Sequence, residues 1–149
     1  MYSYRGGVCM SGDFYEQGLR FSCTKCGKCC TGSPGRVRVS REERQQLAAL
    51  RGVTEEDFTL SFTRQDGRNI LLTEKENGDC IFYDNGCTVY HARPLQCRLF
   101  PFWFRNLRNE NAWLEAAKDC PGIGQGRLYT KEEIFDLVGQ DIDNRGRND

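Results

Sequence analysis

Apolar residues in this chain come in short runs broken by Gly, Asn and Asp, a pattern that predicts many small elements. Arg36-Val37-Arg38-Val39 alternates polar with apolar residues and predicts a short strand. Ser40 with Glu43 three residues on is a capping box, so a helix is expected from there to about Arg51, closed by Gly52. Thr54 followed by Glu55, Glu56 and Asp57 marks a second helix start, because acids suit the positive end of a helix. From Asn69 the pattern turns to β, with Ile70-Leu71-Leu72-Thr73 as one candidate strand and Cys80-Ile81-Phe82-Tyr83 as another. Asp84-Asn85-Gly86 then supplies a tight turn into Cys87-Thr88-Val89-Tyr90, a hairpin that would bring Cys80 and Cys87 together.

Downstream, His91 to Pro101 predicts a short helix, with Pro94 near its first turn and Pro101 ending it. Phe102-Trp103-Phe104 and Ala112-Trp113-Leu114 are expected to pair as a second hairpin around Arg108-Asn109-Glu110-Asn111. Thr130 and Glu133 form another capping box, and Ile134, Leu137, Val138 and Ile142 share one helical face. The polar stretch from Asn144 to Asp149 predicts a frayed tail. The fold expected is a small single α+β domain with short antiparallel strands and three to four helices, organised around cysteine loops.

Composition narrows the setting. A length of 149 residues with 38% hydrophobic content fits one domain with its own core. Lys+Arg and Asp+Glu both number 21, which gives no electrostatic case for nucleic acid or an anionic membrane. Met1 to Arg20 holds no apolar signal-peptide core, and no stretch approaches the ~18 apolar residues of a membrane span. A cytoplasmic protein with reduced thiols is the expectation.

That setting decides how the cysteines read. Eight of the nine fall in a pattern: Cys23, Cys26, Cys29 and Cys30, then Cys80, Cys87, Cys97 and Cys120. An odd count and an adjacent Cys29-Cys30 pair argue against a disulfide framework, so metal ligation is the simpler reading. In Cys-x2-Cys both thiolates converge on one centre when the residues between them turn, which Gly27 eases. Cys23-x2-Cys26-x2-Cys29 with a Cys120-Pro121 matches in part the ligand pattern of bacterial ferredoxins, departing from it in the long separation of the Cys-Pro. Cys29 and Cys30 project in different directions, so one site or two both remain open readings. All-cysteine sets hold Zn2+ as well as clusters; the triplet favours a 4Fe-4S cluster.

Phe21-x-Cys23-x2-Cys26-Gly27-x-Cys29-Cys30, Cys80-x-Phe82, Gly86-Cys87-x-Val89-Tyr90, Arg93-Pro94-x2-Cys97-Arg98-x-Phe100-Pro101-Phe102 and Cys120-Pro121-Gly122-x-Gly124 together resemble the YkgJ-like CxxCxxCC family of zinc- or iron-chelating proteins. The resemblance implies a metal-binding domain over about residues 21–126, with 1–20 an N-terminal extension and 127–149 a C-terminal helix and tail packed on the same domain. Members are often labelled iron-sulfur cluster-containing, and the family includes flagellin lysine N-methylases, which carry this cysteine region in a longer chain.

Around the ligands, Lys25, Lys28, Arg93 and Arg98 could offset thiolate charge or donate to sulfur, the alternative being solvated surface charge. Gly122-Ile123-Gly124-Gln125-Gly126 lacks the rest of a dinucleotide fingerprint and reads as turns whose N–H groups reach a cluster. His91 is expected on the surface or in a capping role, Tyr90 on a half-buried strand, and Cys9 as a free thiol outside the pattern. Phe82, Phe100, Phe102, Trp103 and Phe104 are expected to pack around the metal loops. Three functions compete: a cluster protein working with a redox partner, a zinc-stabilised interaction module, and a methyltransferase-like metalloenzyme. The first ranks ahead of the other two.

Overall fold

Three antiparallel strand pairs and six α-helices make up the described residues, which in this computed structural model are 2–5, 8–11, 14–25 and 36–146. Cys26, Lys28, Cys29 and Cys30 lie outside the described residues. The pairs are β1 (Tyr2–Arg5) with β2 (Val8–Ser11), β3 (Leu19–Phe21) with β6 (Arg127–Tyr129), and β4 (Thr63–Asp66) with β5 (Asn69–Leu72). The α+β class is as expected, and four of the helices described below reach eight residues or more. Among the described residues no helix is long and apolar enough to cross a membrane. The chain divides into two compact units, a central one over Gly27–Arg98 with Arg145–Asp149, and one of Met1–Cys26 with Leu99–Asn144.

In the central unit, α1 (Arg41–Arg51) starts at the predicted capping box: Glu43 N–H donates to Ser40 Oγ at 3.2 Å and Ser40 N–H to Glu43 Oε1 at 2.8 Å. Gly52 closes it in the left-handed conformation, φ 72°. Thr54 caps α2 (Glu55–Phe62) by accepting from Asp57 N–H at 3.1 Å. Leu47 and Ala48 of α1, Phe58 of α2, and Leu72 of β5 close a core with Val39, Phe82 and Val89. The strand expected over Arg36 to Val39 shortens to a single bridge, Arg38 to Leu71, because the chain enters α1 directly after it. β4 is all polar, so its sequence gives no apolar alternation; the Gly67-Arg68 turn pairs it with β5.

Two expectations are corrected. Cys80–Tyr83 and Cys87–Tyr90 do not form a hairpin of strands; only isolated bridges remain, Glu74 to Cys80 and Tyr83 to Cys87. Local turns win here, because Tyr83 N–H bonds Cys80 O at 2.9 Å and Thr88 N–H bonds Phe82 O at 2.9 Å while Phe82 and Val89 drop into the core. In the other unit, the hairpin expected over 102–104 and 112–114 does not form: Phe102 and Trp103 lead into α4 (Phe104–Leu107), and 112–114 lie in α5 (Glu110–Asp119). Asn109 is the cause, its side chain accepting from Ala112 N–H at 2.8 Å to start α5 where a turn was expected.

That second unit closes around Tyr15, Phe102, Leu107, Trp113, Ile134 and Val138. Its α6 (Lys131–Arg145) begins at the predicted Thr130–Glu133 capping box. Ile134 and Val138 are buried as expected, but Ile142 is 37% exposed and the buried positions beyond Val138 are Asp141 and Asn144. Asp141 Oδ2 accepts from Phe104 N–H at 3.0 Å, capping α4, which has no cap of its own. Asn144 and Arg145, expected in a frayed tail, are helical, and residues 147–149 of that tail lie outside the described residues.

Candidate metal centre

β3 runs directly into the first cysteine, so what lies against β3 sets the place of Cys23. On one side is β6, which aligns Phe21 with Arg127. The chain beyond Cys120 also returns to this strand: Phe21 bridges Ile123, Ser22 N–H donates to Gly122 O at 3.1 Å, and Gly124 N–H donates to Arg20 O at 2.8 Å. Cys23 follows this paired stretch by one residue, and Cys120-Pro121 precede its partner Gly122 across a turn closed by Ile123 N–H on Cys120 O at 3.1 Å. Gly122 permits the approach, since a Cβ there would stand 1.9 Å from Ser22 O. Cys23 is exposed and Cys120 buried. Lys25 takes a left-handed φ of 58°, and its N–H donates to Cys23 Sγ at 3.4 Å.

The glycine run is thus a clamp. Three of its amides bond backbone, with Ile123 N–H on Cys120 O at 3.1 Å and Gln125 N–H on Gly122 O at 3.3 Å beside the Gly124 bond.

In the central unit, Cys80 and Cys87 bracket a turn made by Asn85 at φ 54° and Gly86 at φ 133°. The turn is braced from several directions. Ile81 N–H bonds Thr73 O at 3.1 Å, Thr88 Oγ1 bonds Phe82 O at 2.6 Å, and Lys75 Nζ donates to Tyr83 O. Glu74, which bridges Cys80, is gripped by Arg64 through two bonds of 3.2 and 3.1 Å. Phe82 lies 5.4 Å from Phe62 and 6.1 Å from Phe58, ring to ring. Cys97 sits on α3 (Leu95–Leu99), where Gln96, buried beside it, accepts from Arg38 N–H at 3.1 Å and donates to Arg36 O at 3.3 Å. Cys80, Cys87 and Cys97 are each half-buried.

The family model "CxxCxxCC: Putative zinc- or iron-chelating domain" matches residues 22–121, a span that holds all eight patterned cysteines. The chain belongs to this family. It is similar to the uncharacterized protein MJ0661 of Methanocaldococcus jannaschii, 29% identical over 132 residues that cover 83% of this chain and 69% of the relative. It is similar also to the uncharacterized protein MJ0939 of the same organism, 23% identical over 144 residues, covering 86% of this chain and 49% of the relative. No solved structure matches at a significant level.

Other CxxCxxCC motif residues take structural positions. Arg93 donates from Nε to Tyr90 O at 2.9 Å and lays its guanidinium 3.9 Å over the Tyr90 ring; Arg98 Nε donates to Arg93 O at 3.2 Å. Arg93 is half-buried in these contacts, whereas Arg98 is exposed. Tyr90 belongs to a 3-10 turn over Tyr90–Ala92, not a strand, and exposed His91 meets its ring edge at 5.4 Å. Phe82 and Phe102 pack within the two cores and Phe100 packs on Trp103, at 5.0 Å. Cys9 lies in β2 opposite Tyr4. Among the described residues no three His, Cys, Asp or Glu side chains gather as a metal-binding group.

Gln96 and Asp141 were not singled out by sequence pattern. Gln96 bonds residues 58 and 60 positions away, a relation no local period encodes. Asp141 did carry a signal, falling three residues after Val138 on the buried face of α6.

Proposed function

We propose that this CxxCxxCC protein binds an iron-sulfur cluster, 4Fe-4S in preference, through thiolates drawn from Cys23, Cys26, Cys29, Cys30, Cys80, Cys87, Cys97 and Cys120. Its role is then redox: electron transfer with a protein partner, or a cluster-dependent accessory function in a reducing, cytoplasmic compartment. One observation carries this reading. Cys120-Pro121 is remote from the triplet in sequence, yet the glycine run that follows it is bonded to the strand leading into Cys23, which supports a ferredoxin-like association of the Cys-Pro with the triplet. The Lys25 N–H on Cys23 Sγ supports it further, as hydrogen bonds to sulfur tune cluster potentials.

Zinc is the second reading, favoured by the exposure of Cys23 among the described residues. A closed zinc site has no redox chemistry to protect from solvent. Iron, acid-labile sulfide and visible absorption measured on protein purified without air separate the two. Iron with sulfide and an absorbance bleached by dithionite upholds the cluster; colourless protein with stoichiometric zinc replaces it with a structural site.

A further inference from the structure

The helix that carries Cys97 is five residues long, too short to hold its own shape in water. Its place is set by side chains that reach out of it or into it. Pro94 before it is fully buried, and Leu95 N–H donates to the Glu43 carboxylate at the start of α1. Gln96 does more. The segment Arg36 to Val39 is bonded on one side to β5, through Leu72 N–H on Val37 O at 2.8 Å and Val39 N–H on Ile70 O at 3.0 Å. In extended chain the groups of alternate residues point the other way, so Arg36 O and Arg38 N–H face away from β5. The Gln96 amide meets them there, its Oε1 accepting from Arg38 N–H at 3.1 Å and its Nε2 donating to Arg36 O at 3.3 Å. One side chain, only 2% exposed, pairs with the edge as a strand would.

We infer that Gln96 is a positioning residue for Cys97: by pairing with this edge it fixes the adjacent thiol against the rigid part of the central unit before metal arrives. The inference rests on Cys97 being a ligand, as proposed above. It assigns Gln96 a role in metal affinity that an ordinary buried residue of the same unit does not have.

The test is an anaerobic titration of the full-length apoprotein with cobalt(II), whose thiolate charge-transfer intensity reports how many sulfurs bind. Gln96→Met keeps the length of the side chain and removes both bonds. It is expected to weaken cobalt binding about tenfold, the scale on which supporting residues act at metal sites. Its intensity should fall to that of Cys97→Ser, with no further loss in the double variant. Gln96→Glu, which retains the acceptor for Arg38 N–H, should lie between Gln96→Met and wild type. Leu47→Ala, a cavity in the same core, should melt earlier yet keep full intensity. Wild-type affinity in Gln96→Met, or losses that add to those of Cys97→Ser, would overturn the inference while leaving the ligand assignment intact. Wild-type binding in Cys97→Ser would overturn both. Should Gln96→Met lose its helical circular dichroism, Gln96→Glu decides, with intensity below wild type upholding the role and wild-type intensity ending it.

Discussion

Replacing Gly122 with alanine tests the clamp most directly. The new methyl would stand 1.9 Å from Ser22 O, and real Cβ contacts essentially never fall under 3.0 Å, so backbone must part by at least 1.1 Å. Neither side yields easily, because Ser22 N–H is bonded to Gly122 O at 3.1 Å and Gly124 N–H to Arg20 O at 2.8 Å. Overpacking of this kind costs about 1–3 kcal/mol, and a lost backbone hydrogen bond adds ~1 kcal/mol. A total of about 2–4 kcal/mol corresponds to roughly 4–16 °C in a chain of this size. Gly139→Ala is the matched control: it lies inside α6 with nothing within 4 Å of its Cβ position, so alanine there should stabilise by about 0.5–1 kcal/mol. Melting followed by circular dichroism, with metal content measured on the same samples, should move the two variants in opposite directions. Only Gly122→Ala should lose metal. Equal melting temperatures in both variants, with metal retained, would refute the clamp.

Further expectations concern single groups. Cys26→Ser and Cys97→Ser should each lower metal content and melting temperature together, whereas Cys9→Ser changes neither; full metal retention in both ligand variants would end the ligand assignment. Burial first, and the Glu16 carboxylate second, push Tyr15 up to about 12 from 10.0. The folded state then keeps a proton that the unfolded chain releases, so this contribution to stability is intact below pH 10 and is lost as pH rises toward 12. A melting series across that range should fall less steeply in Tyr15→Phe than in wild type; parallel curves would contradict the assignment. The Tyr15 hydroxyl also has no partner among the described residues, so at neutral pH Tyr15→Phe should be more stable by ~1 kcal/mol in urea unfolding. Asn109→Ala, which removes the cap of α5, should cost about 1 kcal/mol in the same assay.

What could be read from the chain was what short-range chemistry determines. Ser40, Thr54 and Thr130 each start a helix where a capping side chain and acidic first turn say one should, and Gly52 ends one. The family was likewise legible, because the spacing of Cys23, Cys26, Cys29 and Cys30 is itself local. Misreadings fell where apolar runs served more than one geometry. Phe102 and Trp113 look like facing strand residues, but both are core positions, Phe102 just before α4 and Trp113 in α5, whose start is fixed by Asn109. Cys80 to Tyr90 has strand composition, yet buried Phe82 and the Thr88 bonds roll it into turns. Gln96 and the clamp at Gly122 stayed hidden because their partners are distant in sequence and polar or backbone in kind.

One carboxylate in the central unit serves two helices. Glu43 accepts from Ser40 N–H with one oxygen and from Leu95 N–H with the other, so the first turn of α1 and the first turn of α3 share a single anchor. Neither end can open without disturbing the bond of the other, and the two amides should exchange with solvent deuterium as one cooperative event rather than two. Local opening next to Cys97 is thereby tied to the stability of an eleven-residue helix far stronger than its own.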